Sequence, residues 1–386
     1  MSQVRTAVVI GGGIAGPVTA LALRKAGIDV SVHERYESSA EGLGGTIALA
    51  PNGLAALGIV GAAAAVVAGS QPGERQVMSI GRRRVALPGL ADQGPLHVVR
   101  RGDLYRILRQ RLAEEGVPVT GGRRLTAVRE RTAIFEDGSE ASADVLIGAD
   151  GVHSAMRRLI DPDAPSPRYT GLLAFEGLSA AEVDAAPGTM TFAFGRRAYY
   201  LYWPAPGGGT TFGINLPRDR PLSTVEARTI PDADWMRTLR TVYADDDPGA
   251  ELLARTSDLQ VNGALFIMPP VPRWHRDRMV LVGDAVHAPS NTSGQGASLA
   301  VESAVELARC LRDAPGFEQA FLRYESLRRR RVERIAAQAA RVNHAKIPGP
   351  VVKALLPMLI PLFMSPERTL GPVQRYRIDW DQPALR

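Results

Sequence analysis

Three glycines and one acid near the start of the chain are spaced to grip a pyrophosphate. The stretch "GGGIAG" sets Gly11, Gly13 and Gly16 in G-x-G-x-x-G order, and Glu34 closes the next apolar run. Gly11 would make the turn, Gly13 would let a pyrophosphate approach the backbone, and Gly16 would let helix lie on strand. A carboxylate at Glu34 can accept hydrogen bonds from an adenosine ribose. The plain alternative is a glycine-rich strand-to-helix turn with no ligand, and the motif does not separate NAD from FAD. A second candidate is "GADGVHSAMR", where Asp150-Gly151 ends an apolar strand and could equally be a tight turn with a solvated carboxylate. The third is "GDAVHAPSNTSGQGAS", Gly283 to Ser298. Here Asp284 can bind sugar-alcohol hydroxyls, and Gly294-Gln295-Gly296 opens a helix whose N–H groups present a positive end. A reduced isoalloxazine ring carries negative charge, which such an end stabilises. Two loops of this kind suit one FAD, the first holding its ADP half and the second its ribityl-flavin half.

The elements that must position these residues are readable around them. "RTAVVI" is a buried strand, "AGPVTALALRKAG" has helical spacing and stops at Gly27, and "IDVSVHE" alternates as a second strand. "GAAAAVVAG" reads as an alanine-rich helix. Leu96 to Leu112 runs from extended to helical, and a hairpin turn is expected at Asp137-Gly138. From about Pro167 to Pro272 the pattern is strand-like and aromatic, with helical spacing mainly near Trp235 to Tyr243. The α/β pattern resumes at Met279, and the chain reads as helical from Phe317 to Ala340. The fold class is α/β: a Rossmann-like FAD-binding domain (1–75, 97–166 and 275–320) interleaved with a β-rich substrate domain (76–96 and 167–274), plus C-terminal helices (321–386).

A length of 386 residues suits about two domains. With 45% hydrophobic and 22% charged residues, the chain falls in the ordinary soluble globular class. The one cysteine, Cys310, excludes an internal disulfide, makes a cysteine-based metal site improbable and fits a reducing cytoplasm. The run into "RTAVVIGGG" shows no basic leader, signal-length apolar region or cleavage site, so no secretory leader is expected. Val351 to Phe363 is apolar but short and broken by Pro357 and Pro361, so it reads as packing or a pocket cap, with shallow membrane contact near Lys353 a lesser reading. Net charge is +6, and the arginine run Leu327 to Arg334 reads as a solvated helix face. No groove-reading motif accompanies it, so nucleic acid is not an expected partner.

"GGGIAG", "RGDL" (Arg101 to Leu104), "GADGVHSAMR" and "GDAVHAPSNTSGQGAS", in this order and spacing, resemble the group A FAD-dependent aromatic hydroxylases, the para-hydroxybenzoate hydroxylase-like monooxygenases. The stretch "LGGTIAL" also resembles the tetracycline-inactivating members. The resemblance implies that Gly11, Gly13, Ala15, Gly16, Glu34, Arg35, Gly45 and Arg101 contact FAD. Asp150 would belong to a motif shared by FAD and NAD(P)H, Asp284 would bind the ribityl chain, and Gly294, Gln295, Gly296, Ala297 and Ser298 would hold the flavin ring. His287 matches the family's histidine and reads as structural. Asn291 stands where the family has proline beside the flavin's reactive edge. The implied activity is a monooxygenase: transient NADPH or NADH reduces FAD, O2 is the co-substrate, and a flavin C4a-hydroperoxide passes one oxygen atom to an aromatic or polycyclic, largely apolar small molecule. Hydroxylation, epoxidation and Baeyer–Villiger insertion stay open. Phe192, Phe194, Tyr200, Tyr202 and Asn291 are candidate pocket residues, with Trp203 on the opposite strand face from the two tyrosines. His97 is a weak candidate base, so no catalytic residue is assigned. A monomer or homodimer is expected. The rival readings are a redox-quiet FAD-binding protein that shelters a reactive ligand and a flavin-dependent halogenase. The halogenase lacks its W-x-W-x-I-P stretch here, since "YWPAP" has one tryptophan.

Overall fold

The computed structural model describes residues 4–37, 45–81, 83–344 and 365–385. The apolar stretch Val351 to Phe363 lies outside them. Continuous apolar runs form the centre of a six-stranded sheet. Its order is His275–Arg276, Met279–Leu281, Val145–Gly148, Thr6–Ile10, Asp29–His33, Val119–Thr120. All neighbours are parallel except the His275–Arg276 edge. Val145 to Ile147 and Val8 to Ile10 are buried, as expected for parallel strands covered on both faces. Helix Ala15–Lys25 and helix Gly296–Asp313 pack together against this sheet, and the long helix Phe317–His344 packs on the latter.

A second, seven-stranded sheet is mostly antiparallel and runs Thr256–Ile267, Arg168–Ser179, Thr210–Pro217, Tyr199–Pro204, Thr189–Phe194, Arg75–Ile80, Arg83–Leu87. Strand alternation gives it two distinct faces. One carries Phe175, Tyr200, Tyr202, Phe212 and Ile214 against Trp235, Leu239 and Tyr243 of the flanking helices. The other carries Phe192, Leu201 and Trp203 against Leu96 and Val98. Those last two belong to a small sheet, Thr46–Leu49, Leu96–Arg100 and Gln71–Gly73, lying between the larger ones. The fold class is thus the mixed α/β one expected. Helix Ala63–Ala68 is the alanine-rich one, and the turn at Asp137-Gly138 forms with Gly138 at φ +81°.

One surface expectation is corrected. The run Leu327 to Arg334 is not simply a solvated face: Arg328 is fully buried and Arg331 nearly so. Both pair with Glu302, Arg328 Nη2 at 2.7 Å and Arg331 Nη2 at 2.8 Å. A guanidinium can leave water here because a buried carboxylate meets it with directed hydrogen bonds. Arg329 is also anchored, to Glu325 and Glu333 and to the carbonyls of Val271 and Pro272. Among the described residues, no helix is long and apolar enough to cross a membrane.

Candidate functional site

The first loop leaves strand Thr6–Ile10 and enters helix Ala15–Lys25. Gly11 has φ +107°, and a Cβ there would lie 2.4 Å from the Ala149 carbonyl oxygen. A Cβ at Gly16 would lie 1.8 Å from the Gly11 oxygen, so helix and strand touch. At Gly13, by contrast, a Cβ would meet nothing within 4 Å. The backbone there is open on the side where a diphosphate would approach. The helix has neither a side-chain cap nor an acid in its first turn, leaving its opening N–H groups for an anion. Glu34 sits across the loop, its Oε2 accepting the Gly12 N–H at 2.6 Å and its Oε1 the Tyr36 N–H at 3.2 Å. The Arg35 guanidinium stacks over the Tyr36 ring.

The second loop leaves strand Met279–Leu281. Gly283 has φ +64°, and a Cβ there would lie 2.8 Å from the Ala15 Cβ. The two loops are therefore in direct contact. Asp284 is solvent-exposed, yet burial raises its carboxyl above the ordinary value while the Arg101 charge pulls it down. Helix Gly296–Asp313 follows, again with no side-chain cap and no acid in its first turn. Gly294 turns into it at φ +58°. Gln295 is buried and its Oε1 accepts from Asn52 Nδ2 at 3.0 Å. Ala297 packs on the main core, and the Ser298 hydroxyl accepts the Ala50 N–H at 3.1 Å. So the Gln295 and Ser298 side chains brace the helix from behind. Asn291 is exposed, and its carbonyl accepts the Gly294 N–H at 3.1 Å within a short turn.

Asp150 follows strand Val145–Gly148, which lies between the strands that lead into the two loops. Its Oδ2 accepts the Ala155 and Met156 N–H groups at 2.7 and 3.1 Å, and its buried Oδ1 has no partner among the described residues. Burial raises this carboxyl too. Arg101 starts the helix Arg101–Glu114 and donates its N–H to the Gly45 carbonyl at 3.0 Å. Open backbone at Gly13, the unpartnered Asp150 oxygen, exposed Asp284 and two uncapped helix starts fit a dinucleotide carrying a flavin.

Two pocket candidates need correcting. Tyr200 and Tyr202 are 2% and 1% exposed within the core of the seven-stranded sheet, stacked on each other at 5.9 Å. They do share a face, as alternation requires, but it is the one under the helices. Phe192 lies on the opposite face with Trp203, half-buried against Val98. Phe194 is on that face too, edge-on to Tyr199 at 5.6 Å. His287 is buried, its Nε2 2.8 Å from the Ser303 hydroxyl, with burial first and Arg328 second lowering its pKa to about 3. It is a neutral structural group. His97 bonds the Ser70 hydroxyl at 2.8 Å inside the small sheet.

Sequence reasoning missed Asn52. It stands in helix Pro51–Ile59, fully buried, and its Nδ2 donates to Gln295 and, at 2.7 Å, to Glu302. Pro51 at the first helical position was the available signal for that helix.

Against known proteins, residues 4–193 and 268–339 match the model of the family described as "FAD binding domain". The 3-amino-4-hydroxybenzoate 2-monooxygenase of Streptomyces cremeus is 32% identical over 356 residues, 86% of either chain. Among solved structures, Klebsiella pneumoniae HpxO complexed with FAD and uric acid superposes with a TM-score of 0.79 at 25% identity, covering 95% of both chains. The tetracycline destructase Tet(51) shares the fold with a TM-score of 0.69 at 21% identity, covering 97% of this chain and 99% of its own.

Proposed function

This chain belongs to the FAD binding domain family and is an FAD-dependent monooxygenase, and we propose that its two touching loops hold the two halves of one FAD. The observation that carries this reading is the contact between Gly283 and Ala15, which brings both strand-end loops and both uncapped helix starts to one place. In it, the backbone at Gly11 to Gly16 receives the diphosphate and Glu34 the ribose. Asp284 and Arg101 flank the sugar-alcohol chain. The start of helix Gly296–Asp313 sets its positive end against the ring, where negative charge collects on reduction. When bound, FAD supplies electron transfer from NADPH or NADH and the activation of O2. The chain's own residues orient the ring, exclude water and hold the substrate. Asp150, between the loops, stands on the side shared by FAD and the nicotinamide cofactor.

Residues 76–96 and 167–274 supply the substrate domain. The substrate is a largely apolar aromatic or polycyclic small molecule, placed between the flavin ring and the sheet face carrying Phe192, Phe194 and Trp203, with Asn291 at the ring's edge. The relatives' names support an aromatic substrate and give no support to the halogenase or redox-quiet readings. The protein acts in the cytoplasm, as a monomer or homodimer. The test is NAD(P)H oxidation and O2 uptake by the purified yellow protein, across phenols, aminohydroxybenzoates, purines and polycyclic phenols. One class should accelerate NAD(P)H oxidation and give a product heavier by one oxygen atom. Protein that cannot bind FAD, or that consumes NAD(P)H without oxygenating any class, overturns the proposal.

A further inference from the structure

The carboxylate of Glu176 belongs to the seven-stranded sheet but does its bonding elsewhere. It reaches across to the start of strand Thr46–Leu49 and takes the Thr46 N–H on Oε1 and Oε2, each at 2.8 Å. Its Oε2 also accepts the Thr46 hydroxyl at 2.8 Å. Beside it, Asn262 converges on the same peptide. A Cβ at Gly45 would lie 2.1 Å from Glu176 Oε1 and 2.5 Å from Asn262 Nδ2, so any larger residue would have to push these two side chains off the peptide. On the other side, the Gly45 carbonyl takes the Arg101 N–H, and the Arg101 charge acts on Asp284. The Gly45–Thr46 peptide is thus held to the seven-stranded sheet on one side and to the start of helix Arg101–Glu114 on the other.

We propose that Glu176 is a positioning residue for the flavin: it clamps the Gly45–Thr46 peptide to the substrate sheet and so sets the gap into which the isoalloxazine ring seats. The geometry explains why a carboxylate is used. Two oxygens can straddle one N–H and still take a hydroxyl, whereas an amide offers one acceptor and would set its NH2 against the Thr46 N–H. The charge faces Arg100, which partly offsets the cost of burying it. The inference rests on the FAD-site reading above.

The test is a FAD titration of apoprotein with visible circular dichroism of the bound flavin, on wild type, Glu176→Gln, Thr46→Val and the double variant. Losing a charge-assisted hydrogen bond should weaken FAD binding about tenfold in Glu176→Gln and shift the flavin dichroism. Thr46→Val keeps the N–H and should lose less, roughly threefold. The double variant should be no worse than Glu176→Gln, because both act through one contact. Wild-type affinity and dichroism in Glu176→Gln, or single effects that multiply in the double, overturn the proposal. If Glu176→Gln does not fold, undiminished FAD binding by Thr46→Val overturns it. A wild-type protein that takes up no FAD would instead overturn the cofactor-site reading itself.

Discussion

Replacing the three motif glycines one at a time with alanine should give three different outcomes, because the space around each differs. At Gly16 a methyl would sit 1.8 Å from the Gly11 oxygen, backbone that cannot swing aside. Overpacking costs about 1–3 kcal/mol where neighbours can yield, and they cannot here, so Gly16→Ala should lose at least that much. At Gly11 the methyl would be 2.4 Å from the Ala149 oxygen, with φ at +107° adding strain of roughly 1–2 kcal/mol. Both variants should lower the melting temperature of FAD-free protein. At Gly13 nothing lies within 4 Å and φ is outside the left-handed region. Gly13→Ala should therefore be neutral or up to about 1 kcal/mol stabilising without FAD, since alanine has less unfolded-chain entropy to lose. The same methyl would stand in the path of the diphosphate. FAD affinity should then fall roughly tenfold or more, about 1.4 kcal/mol per decade. The assay is thermal melting of apoprotein beside a FAD titration for each variant. A Gly13→Ala protein that melts as low as Gly16→Ala, or that binds FAD as wild type does, would refute the assignment of this loop.

Removing the carboxylate in Glu302→Leu should cost about 3–5 kcal/mol in denaturant unfolding, because it strands the buried Arg328 and Arg331. A loss below about 1 kcal/mol would show the network to be dispensable. Tyr200→Ala should destabilise by about 3–5 kcal/mol as a core deletion, whereas Phe192→Ala should melt closer to wild type and instead raise the substrate KM; the reverse pattern would exchange the two sheet faces. His287 has a folded pKa of about 3, below its ordinary 6.5. Its contribution is complete above pH 6.5 and drains away as pH falls toward 3, with a slope of up to about 1.4 kcal/mol per pH unit. His287→Gln should flatten the melting-temperature profile across that window, and an unchanged slope would place the acid sensitivity elsewhere.

The sequence was most legible where local chemistry decides structure. Apolar runs ending in glycine marked Thr6–Ile10, Val145–Gly148 and Met279–Leu281, because a buried parallel strand and a tight exit turn each leave a local signature. Alternation correctly grouped Tyr200 with Tyr202 and set Trp203 apart. It could not say which group met the helices, since both faces of that sheet are covered and both are aromatic. The braces behind the second loop were invisible for another reason. Asn52 and Glu302 are 250 residues apart, and Glu176 and Thr46 are 130 apart. Nothing in the spacing of a lone asparagine or glutamate says which distant backbone it will meet. The buried arginines misled for the same cause: a charge run says nothing about a carboxylate waiting on another helix.

The six-stranded sheet has a consequence for how the protein is made. Strand Met279–Leu281 joins the edge of Val145–Gly148 only after five strands of the seven-stranded sheet, Arg168–Ser179 to Thr256–Ile267, have been threaded between them. Arg278 reaches Asp144 across 134 residues of sequence. During synthesis the first loop leaves the ribosome early, yet the loop that touches it at Ala15 arrives with Gly283. The seven-stranded sheet can therefore fold as a unit before the second loop has emerged. Closing so long a loop is slow but adds little to the equilibrium cost. If the two loops share one cofactor as proposed, a nascent chain stalled before Gly283 should hold the sheet and bind no flavin.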